Sequence, residues 1–408
     1  MQYITRELEN TFLEADRSFK SVLLTGARQV GKSTMLQHLA KGQGRTYVTL
    51  DRQADRELAR RDPDLFFQTY PPPVLIDEVQ KAPELFEPIK IRCDEADQNG
   101  LFWLTGSQSK RLTGQAGESL AGRVAILKMY GLSQREKAGI TDAGKIDFSY
   151  NALVERAKRF PKNDIHEVSR HIWRGGLPDA QNKSERMLAT YYESYINTYL
   201  MRDATEDNGI RDNAAFYRFL RACAAFTGNL LNYSDLATAA GVSVATSKEW
   251  VSVLQNMGIV FLLEPYHSNA LKRLVKTPKL YFCDTGLCAF LSMWPDERTL
   301  MTGAASGHYY ETYAVMELVS HFSYHSFRTG FSFYRDRDGK EIDVIVEDAT
   351  QSTLLEVKKA ANPDPREIRK FASLQNKDPG MQYGGIICMC EKPYPIDGRN
   401  CLIPGNLI

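Results

Sequence analysis

The sequence predicts an α/β protein in which a parallel sheet holds a phosphate-binding turn, followed by a helical segment with a β wing and a second α/β module. Three observations predict it. A glycine-rich turn stands between an apolar run and a helical pattern at residues 21–40. A second apolar run ends in paired acids at residues 74–78. An Asp…Glu-x-Lys spacing occupies residues 343–358.

The length of 408 residues suits roughly two or three domains at about 150 residues each. With 51 basic and 50 acidic residues the formal net charge is +1, so bulk charge gives no argument for nucleic acid, and any such binding needs a local patch. The opening MQYITRELEN is polar and charged, unlike a secretory signal, and no apolar run approaches the roughly 18 residues of a membrane span. Seven cysteines are scattered along the chain. Cys388 and Cys390 are spaced C-x-C with no partner pair at zinc spacing, which reads as reduced thiols in a cytoplasmic protein.

The first element is SVLLTG, where Val22, Leu23 and Leu24 form the short apolar run of a buried parallel strand. Residues 26–34 follow as GARQVGKST, and Gly26, Gly31, Lys32 and Ser33 meet the spacing Gly-x-x-x-x-Gly-Lys-Ser. The glycines let backbone N–H groups turn inward around phosphate oxygens, Lys32 reaches the β- and γ-phosphates, and Ser33 joins Mg²⁺. Ala27, Arg28, Gln29 and Val30 complete the turn and Thr34 follows it. Arg28 is either a second phosphate contact or a solvated loop cation. Met35, Leu36, Leu39 and Ala40 at helical spacing then bring a helix N-terminus toward the phosphates.

TYVTLDRQADREL supplies a further strand with Asp51 at its end, as a helix cap or a member of the metal and water network. PPPVLIDEVQK supplies the acidic strand: Val74, Leu75 and Ile76, then Asp77 and Glu78. Carboxylates at the C-terminal edge of a parallel sheet lie where ligands bind in open α/β folds. Asp77 would hold Mg²⁺ through water, and Glu78 would orient or deprotonate the attacking water, which favours hydrolysis of ATP. In LFWLTGSQS (101–109), Thr105 and Ser107 either sense the γ-phosphate or cap the next turn. Arg123 either neutralises charge on the transferring phosphate, in cis or from a neighbouring subunit, or simply closes a helix at the surface.

Residues 150–186 read as helical, with Gly175-Gly176 and Pro178 in HIWRGGLPDA as a stop. They would cover the nucleotide or pack beside it. YYESYINTYLMRD (191–203) reads as a long amphipathic helix. Between 213 and 265, three helical patterns and a strand at IVFLLEPY, paired with KLYFCD, make a winged helix. Asn232 or Ser234 would cap its second helix and Gly241 would end it. Contact with DNA or RNA would use Ser243, Thr246, Ser247 and Lys248 on the third helix and a basic wing of Lys272, Arg273, Lys276 and Lys279. The alternative is a structural winged helix with a solvated loop. FSFYRDRDGKEIDVIVED reads as a hairpin turning near Asp338-Gly339, and TLLEVKKA as the next strand. Glu356 and Lys358 point to one face of it. Asp343 lies thirteen residues earlier, and Glu311 lies on the helix around YYETYAVMELV.

The combination of GARQVGKST, LIDEVQK, LTGSQS and LAGR resembles a bacterial and archaeal branch of AAA+-type P-loop ATPases, in which the ATPase is followed by a domain known as DUF4143. YYESYINTYLMRD, KTPKLYFCDTGL and FYRDRDGKEIDVIVED with LLEVKKA extend the resemblance over essentially the whole chain. It implies ATP binding and hydrolysis tied to a C-terminal module, and it supplies no substrate. Glu311, Asp343, Glu356 and Lys358 resemble the PD-(D/E)xK nuclease superfamily, where two carboxylates hold Mg²⁺ and the lysine helps activate water. Here Ile342 stands where that pattern has proline. A restriction-endonuclease-like fold is implied, either active or degenerate and kept for binding. The expected layout is a P-loop ATPase core at 1–140, a helical lid or linker at 141–210, a winged helix at 211–295 and a nuclease-like α/β domain at 296–408. The expected function is an ATP-driven, nucleic-acid-associated protein, with oligomerisation open. Its rivals are a nucleotide-dependent switch that recruits a protein partner and a small-molecule kinase; the Asp77-Glu78 strand end argues against the kinase.

Overall fold

Five parallel strands form the first sheet: β1 (Ser21–Gly26), β2 (Thr46–Thr49), β3 (Val74–Asp77), β4 (Phe102–Ser107) and β5 (Val124–Met129), in the order β2-β3-β4-β1-β5. The computed structural model describes the chain save residues 1–2, 108–109, 143, 207, 267–276, 326–327, 337–338, 349–350 and 376–379. It divides into two units, Met1–Gly131 with Asn256–Gly258, and Leu132–Gln255 with Ile259–Ile408.

In the first unit, every residue of β1 and β3 is buried, as strands covered on both faces require. Leu23, Ile76, Phe102 and Leu104 pack with Phe66, Phe67, Phe86, Ile89 and Leu112 in one apolar core. Strand β4 lies between β1 and β3, with Gly26 in register with Ser107 and Ile76 with Leu104. The phosphate-binding turn, the paired acids and the LTGS segment therefore leave the sheet at one edge. Strand β5, which the sequence reading leaves unassigned, flanks β1 on its other side, with Ser21 opposite Val124 and Gly26 opposite Met129. Buried Arg6 donates to the carbonyls of Val30 (2.8 Å), Tyr130 (2.8 Å) and Gly131 (3.2 Å), fixing the turn to the end of β5.

The second unit carries a mixed sheet: β6 (Asn229–Leu230), β7 (Val260–Pro265), β8 (Lys279–Phe282), β9 (Gly330–Arg335), β10 (Glu341–Glu347), β11 (Ser352–Lys358), β12 (Met381–Cys388), β13 (Tyr394–Pro395) and β14 (Asn400–Pro404). Its order is β13-β14-β12-β11-β10-β9-β7-β8-β6. The segments expected as separate modules at 211–295 and 296–408 share this sheet, because β7 pairs in parallel with β9 through Glu264–Ser332 and Pro265–Phe333. The helix Ser306–His325 lies against β8 and β11 and buries Tyr309, Tyr310, Tyr313, Leu318 and Phe322.

Helices Asn213–Ala225, Tyr233–Ala240 and Val244–Asn256 precede β7. Asn232, not Ser234, caps the second, accepting from the N–H groups of Ser234 (3.0 Å) and Asp235 (3.3 Å), and Gly241 ends it at φ 74°. The aromatic helix expected at 191–203 is not one regular helix: Glu185–Tyr195 passes through a π-helical turn at Ile196–Leu200 into Met201–Glu206. None of the seven cysteines, all among the described residues, forms a disulfide. Among the described residues no helix is long and apolar enough to cross a membrane.

Asp284 joins three of these segments. Its carboxylate accepts from the N–H of Leu287 (2.7 Å), capping the helix Thr285–Leu291, from the N–H of Gly176 (2.7 Å) and from the Tyr192 hydroxyl (3.0 Å). At Gly175 (φ 75°) a Cβ would overlap this carboxylate. Asp284→Ala should lower the stability of the second unit by about 2–4 kcal/mol, the lost cap plus the stranded donors, read as a fall in the urea midpoint. Asp284→Asn, which keeps one acceptor, should lose less; an unchanged midpoint for the alanine variant would refute the assignment.

Candidate functional site

Backbone geometry makes the cradle. Gly26 stands at φ 151°, and a Cβ there would overlap the Met129 carbonyl oxygen. Gly31, at φ 101° and ψ 18°, starts the helix Lys32–Leu39 from the left-handed region, and Gln29 stands at φ 60°. Val30 is buried, Ala27, Arg28 and Gln29 are half-buried and Thr34 is exposed. Lys32 is 6 % exposed, and its ammonium donates to the carbonyls of Gly26 (3.0 Å) and Ala27 (2.8 Å), spanning the turn whose phosphates it would bind.

The acidic edge meets the cradle directly. Ser33 Oγ donates to Asp77 Oδ1 at 2.6 Å. Thr105 Oγ1 donates to the same oxygen and accepts from the Glu78 N–H at 3.1 Å. The Tyr47 hydroxyl donates to Asp77 Oδ2 at 3.2 Å. Burial first, then Asp77, raises the Tyr47 phenol above its ordinary range. Glu78 takes the left-handed conformation at φ 60°, ψ 46°, which a non-glycine residue adopts at a cost and which recurs at functional sites. Its carboxylate accepts from Gln80 and lies 3.4 Å from Arg28 Nη1. Ser107 Oγ, in register with Gly26, is buried with no hydrogen-bond partner.

These residues fit the group that the motif implies. A hydroxyl and a carboxylate in contact are hard oxygen donors suited to Mg²⁺, and a turn in which a Cβ meets backbone suits phosphate approach. Two expected members lie elsewhere. Asp51 pairs with Lys81 rather than joining Asp77. Arg123 precedes β5 at the Ser21 end of β1, bound to Asp94 Oδ2 (3.0 Å) and the Ala121 carbonyl (2.7 Å). Six residues of strand at about 3.3 Å each separate it from Gly26, so a role in its own chain's cradle is corrected by position. Tyr47 and Arg6 were not anticipated; neither sits in a motif, and only the sheet order brings them in.

In the second unit Glu311, Asp343, Glu356 and Lys358 do come together, around a residue expected elsewhere. Lys279, assigned by sequence to a solvated wing, is 3 % exposed. Its ammonium lies 2.8 Å from Glu311 Oε1 and 3.5 Å from Asp343 Oδ1, and also bonds Glu341. The Tyr281 hydroxyl donates to Glu311 Oε1 at 2.7 Å. Asp343 Oδ2 accepts from the Val357 N–H at 2.9 Å. Glu356 is held between Lys358 (2.7 Å) and Lys370 (2.6 Å). Burial, then Asp343, pushes the Glu311 and Glu356 carboxyls up to about 7. Burial pulls the Lys279 ammonium down, but Glu311, Asp343 and Glu341 more than offset it and raise it.

The remaining wing residues Lys272, Arg273 and Lys276, and the turn residue Asp338, lie outside the described residues. Ser243, just before the third helix, and Lys248 on it are exposed, whereas Ser247 is fully buried and offers nothing to a groove. Lys248 lies over the Tyr233 ring at 5.7 Å.

Residues 18–138 match an AAA domain, 165–298 a domain of unknown function, DUF8612, and 306–408 a domain of unknown function, DUF4143. The chain is 28 % identical over 393 residues to the uncharacterized proteins Mb2031c of Mycobacterium bovis and Rv2008c of Mycobacterium tuberculosis, covering 95 % of this chain and 80 % of each relative. It is similar to the Walker-type ATPase PABY2304 of Pyrococcus abyssi at 15 % identity, over 71 % of this chain and 96 % of that one, with a TM-score of 0.42. To the RuvB Holliday junction branch migration motor of Thermotoga maritima it is 17 % identical, over 66 % and 95 %, with a TM-score of 0.31.

Gly26→Ala should force the cradle off the end of β5, destabilising the first unit by about 1–3 kcal/mol, the usual scale of overpacking. ATP binding, followed by fluorescence of a nucleotide analogue, should weaken with it; unchanged affinity and stability would show that the turn can yield there.

Proposed function

We propose that this chain, with an AAA-type P-loop ATPase domain at its N-terminal side and a DUF4143 domain at its C-terminal side, hydrolyses ATP with Mg²⁺ and couples that cycle to a nucleic-acid-associated C-terminal unit. The observation that carries the hydrolytic reading is the run of hydrogen bonds from Ser33 through Asp77 and Thr105 to the Glu78 N–H, which joins cradle, metal-binding acid and candidate base. Mg²⁺ would be held by Ser33 and Asp77 and would supply charge neutralisation at the phosphate oxygens. Lys32 would exchange the Gly26 and Ala27 carbonyls for phosphate oxygens. Ser107, whose buried hydroxyl lacks a partner, would donate to the terminal phosphate. Glu78 would orient the attacking water and accept its proton once its carboxylate leaves Arg28 and Gln80. The exposed Ser243 and Lys248 support contact with a nucleic-acid backbone.

The Arg28–Glu78 contact also favours a second reading, a nucleotide-dependent switch that recruits a protein partner. A base held by the cradle's own arginine suits slow turnover and a long-lived ATP state.

Glu78→Gln should leave ATP binding nearly intact and cut phosphate release by about 10²–10⁴-fold, the range of general-base contributions. Lys32→Ala should abolish both. Turnover by Lys32→Ala at the wild-type rate would remove ATP hydrolysis from this cradle. Stimulation of the wild-type rate by DNA or RNA would support the nucleic-acid reading; slow turnover unchanged by either would favour the switch.

A further inference from the structure

We infer that the carboxylate cluster of the second unit is neutralised by the protein's own lysines rather than by a divalent metal ion, with Lys279 as a built-in cation in the role that the nuclease resemblance implies for Mg²⁺. The inference goes beyond the ATPase reading and does not depend on it.

The donor inventory carries the argument. In a hard-oxygen metal site the carboxylate oxygens are left for the ion. Here most of them already face a cation or an N–H or O–H donor. Glu311 Oε1 accepts from Lys279 and Tyr281. Glu341 meets Lys279 through one oxygen and Arg335 through the other, the latter at 3.3 Å. Asp343 meets Lys279 through Oδ1 and the Val357 N–H through Oδ2. Glu356 meets Lys358 through Oε1 and Lys370 through Oε2. Lys358, which would help activate water in a nuclease, is thereby bound to the acid it should assist.

Charge points the same way. Lys279 is buried, and the cost of burying its ammonium is offset here by the carboxylates around it. A divalent ion on Glu311 and Asp343 would sit beside that ammonium and repel it, and would leave it Glu341 alone, which Arg335 already shares. The cluster thus takes one singly charged hydrogen-bonding cation, supplied by β8, and binds β8 to β10 and the helix Ser306–His325. Without the lysine, three carboxylates remain on those two elements, a set that suits Mn²⁺ or Mg²⁺.

The test uses the full chain without nucleotide, titrated with Mn²⁺ and followed by the electron paramagnetic resonance of the free ion. Wild type and Asp343→Asn should give the same isotherm, so any cradle-bound Mn²⁺ cancels. Lys279→Ala and Lys279→Met should each gain one Mn²⁺ site, at least about tenfold tighter than any in wild type. That site should be lost again in Lys279→Ala/Asp343→Asn. If either variant is unfolded without metal, recovery of its circular dichroism on adding Mn²⁺ counts as the gained site. The inference is overturned if wild type loses a Mn²⁺ site in Asp343→Asn, if wild type cleaves DNA with Mn²⁺ in an Asp343-dependent way, or if neither Lys279 variant responds to Mn²⁺.

Discussion

Asp77 is 6 % exposed, and a carboxylate so far from water must be surrounded by donors. That requirement shapes the first unit's working edge. Ser33, Thr105 and Tyr47 come from the cradle helix, β4 and β2, and all donate to Asp77. The strand order β2-β3-β4 is what makes this possible, since it sets both neighbours of β3 against its terminal acid. The same requirement binds Glu78 to Arg28 and Gln80, and in the second unit it binds Glu317 to Arg135 at 3.1 Å.

In the second unit the requirement acts across a long stretch of chain. Lys279 and Glu311 are 32 residues apart, yet each offsets the cost of the other's removal from water. One removed partner would leave a charge in a dry environment, which is far more damaging than removing both. The sheet from β6 to β13 and this ion cluster therefore support each other. The sheet brings β8 and β10 onto one surface, and the cluster neutralises what that surface buries.

Legibility in the sequence followed the range of the interactions. The cradle was readable because its parts lie within nine residues and each residue type has a backbone or phosphate task. Asp77 and Glu78 were readable as a strand end, and Asp343, Glu356 and Lys358 as a spacing. Lys279 was misread as a wing cation because its neighbours in sequence, Lys272, Arg273 and Lys276, are basic, while its partners in space lie on another helix and strand. Tyr47 was invisible for the same reason: its value comes from lying on β2 beside β3, and a tyrosine in a strand is ordinarily packing. Arg123 sat in a suggestive place after the LTGS strand, but a parallel sheet returns the chain to its far edge before each new strand, and Arg123 is still on that return. The sheet shared between 211–295 and 296–408 left no trace in composition, because among the described residues its β7–β9 ladder rests on two residue pairs far apart in sequence.

That narrow β7–β9 junction has a consequence for how the unit opens. Cooperativity within a sheet follows the number of ladder bonds crossing each strand pair, and β7 and β9 share two residue pairs, Glu264–Ser332 and Pro265–Phe333. A junction of so few ladder pairs is where a boundary between foldons would fall. Opening there would separate β6, β7 and β8 from the rest while each side keeps its own ladder, and it would require the Lys279 cluster, which ties β8 to β10, to release. Because electrostatic clasps respond to ionic strength and acidity in a way that apolar packing does not, the hold of β8 on β10 is sensitive to solution conditions as well as to the core.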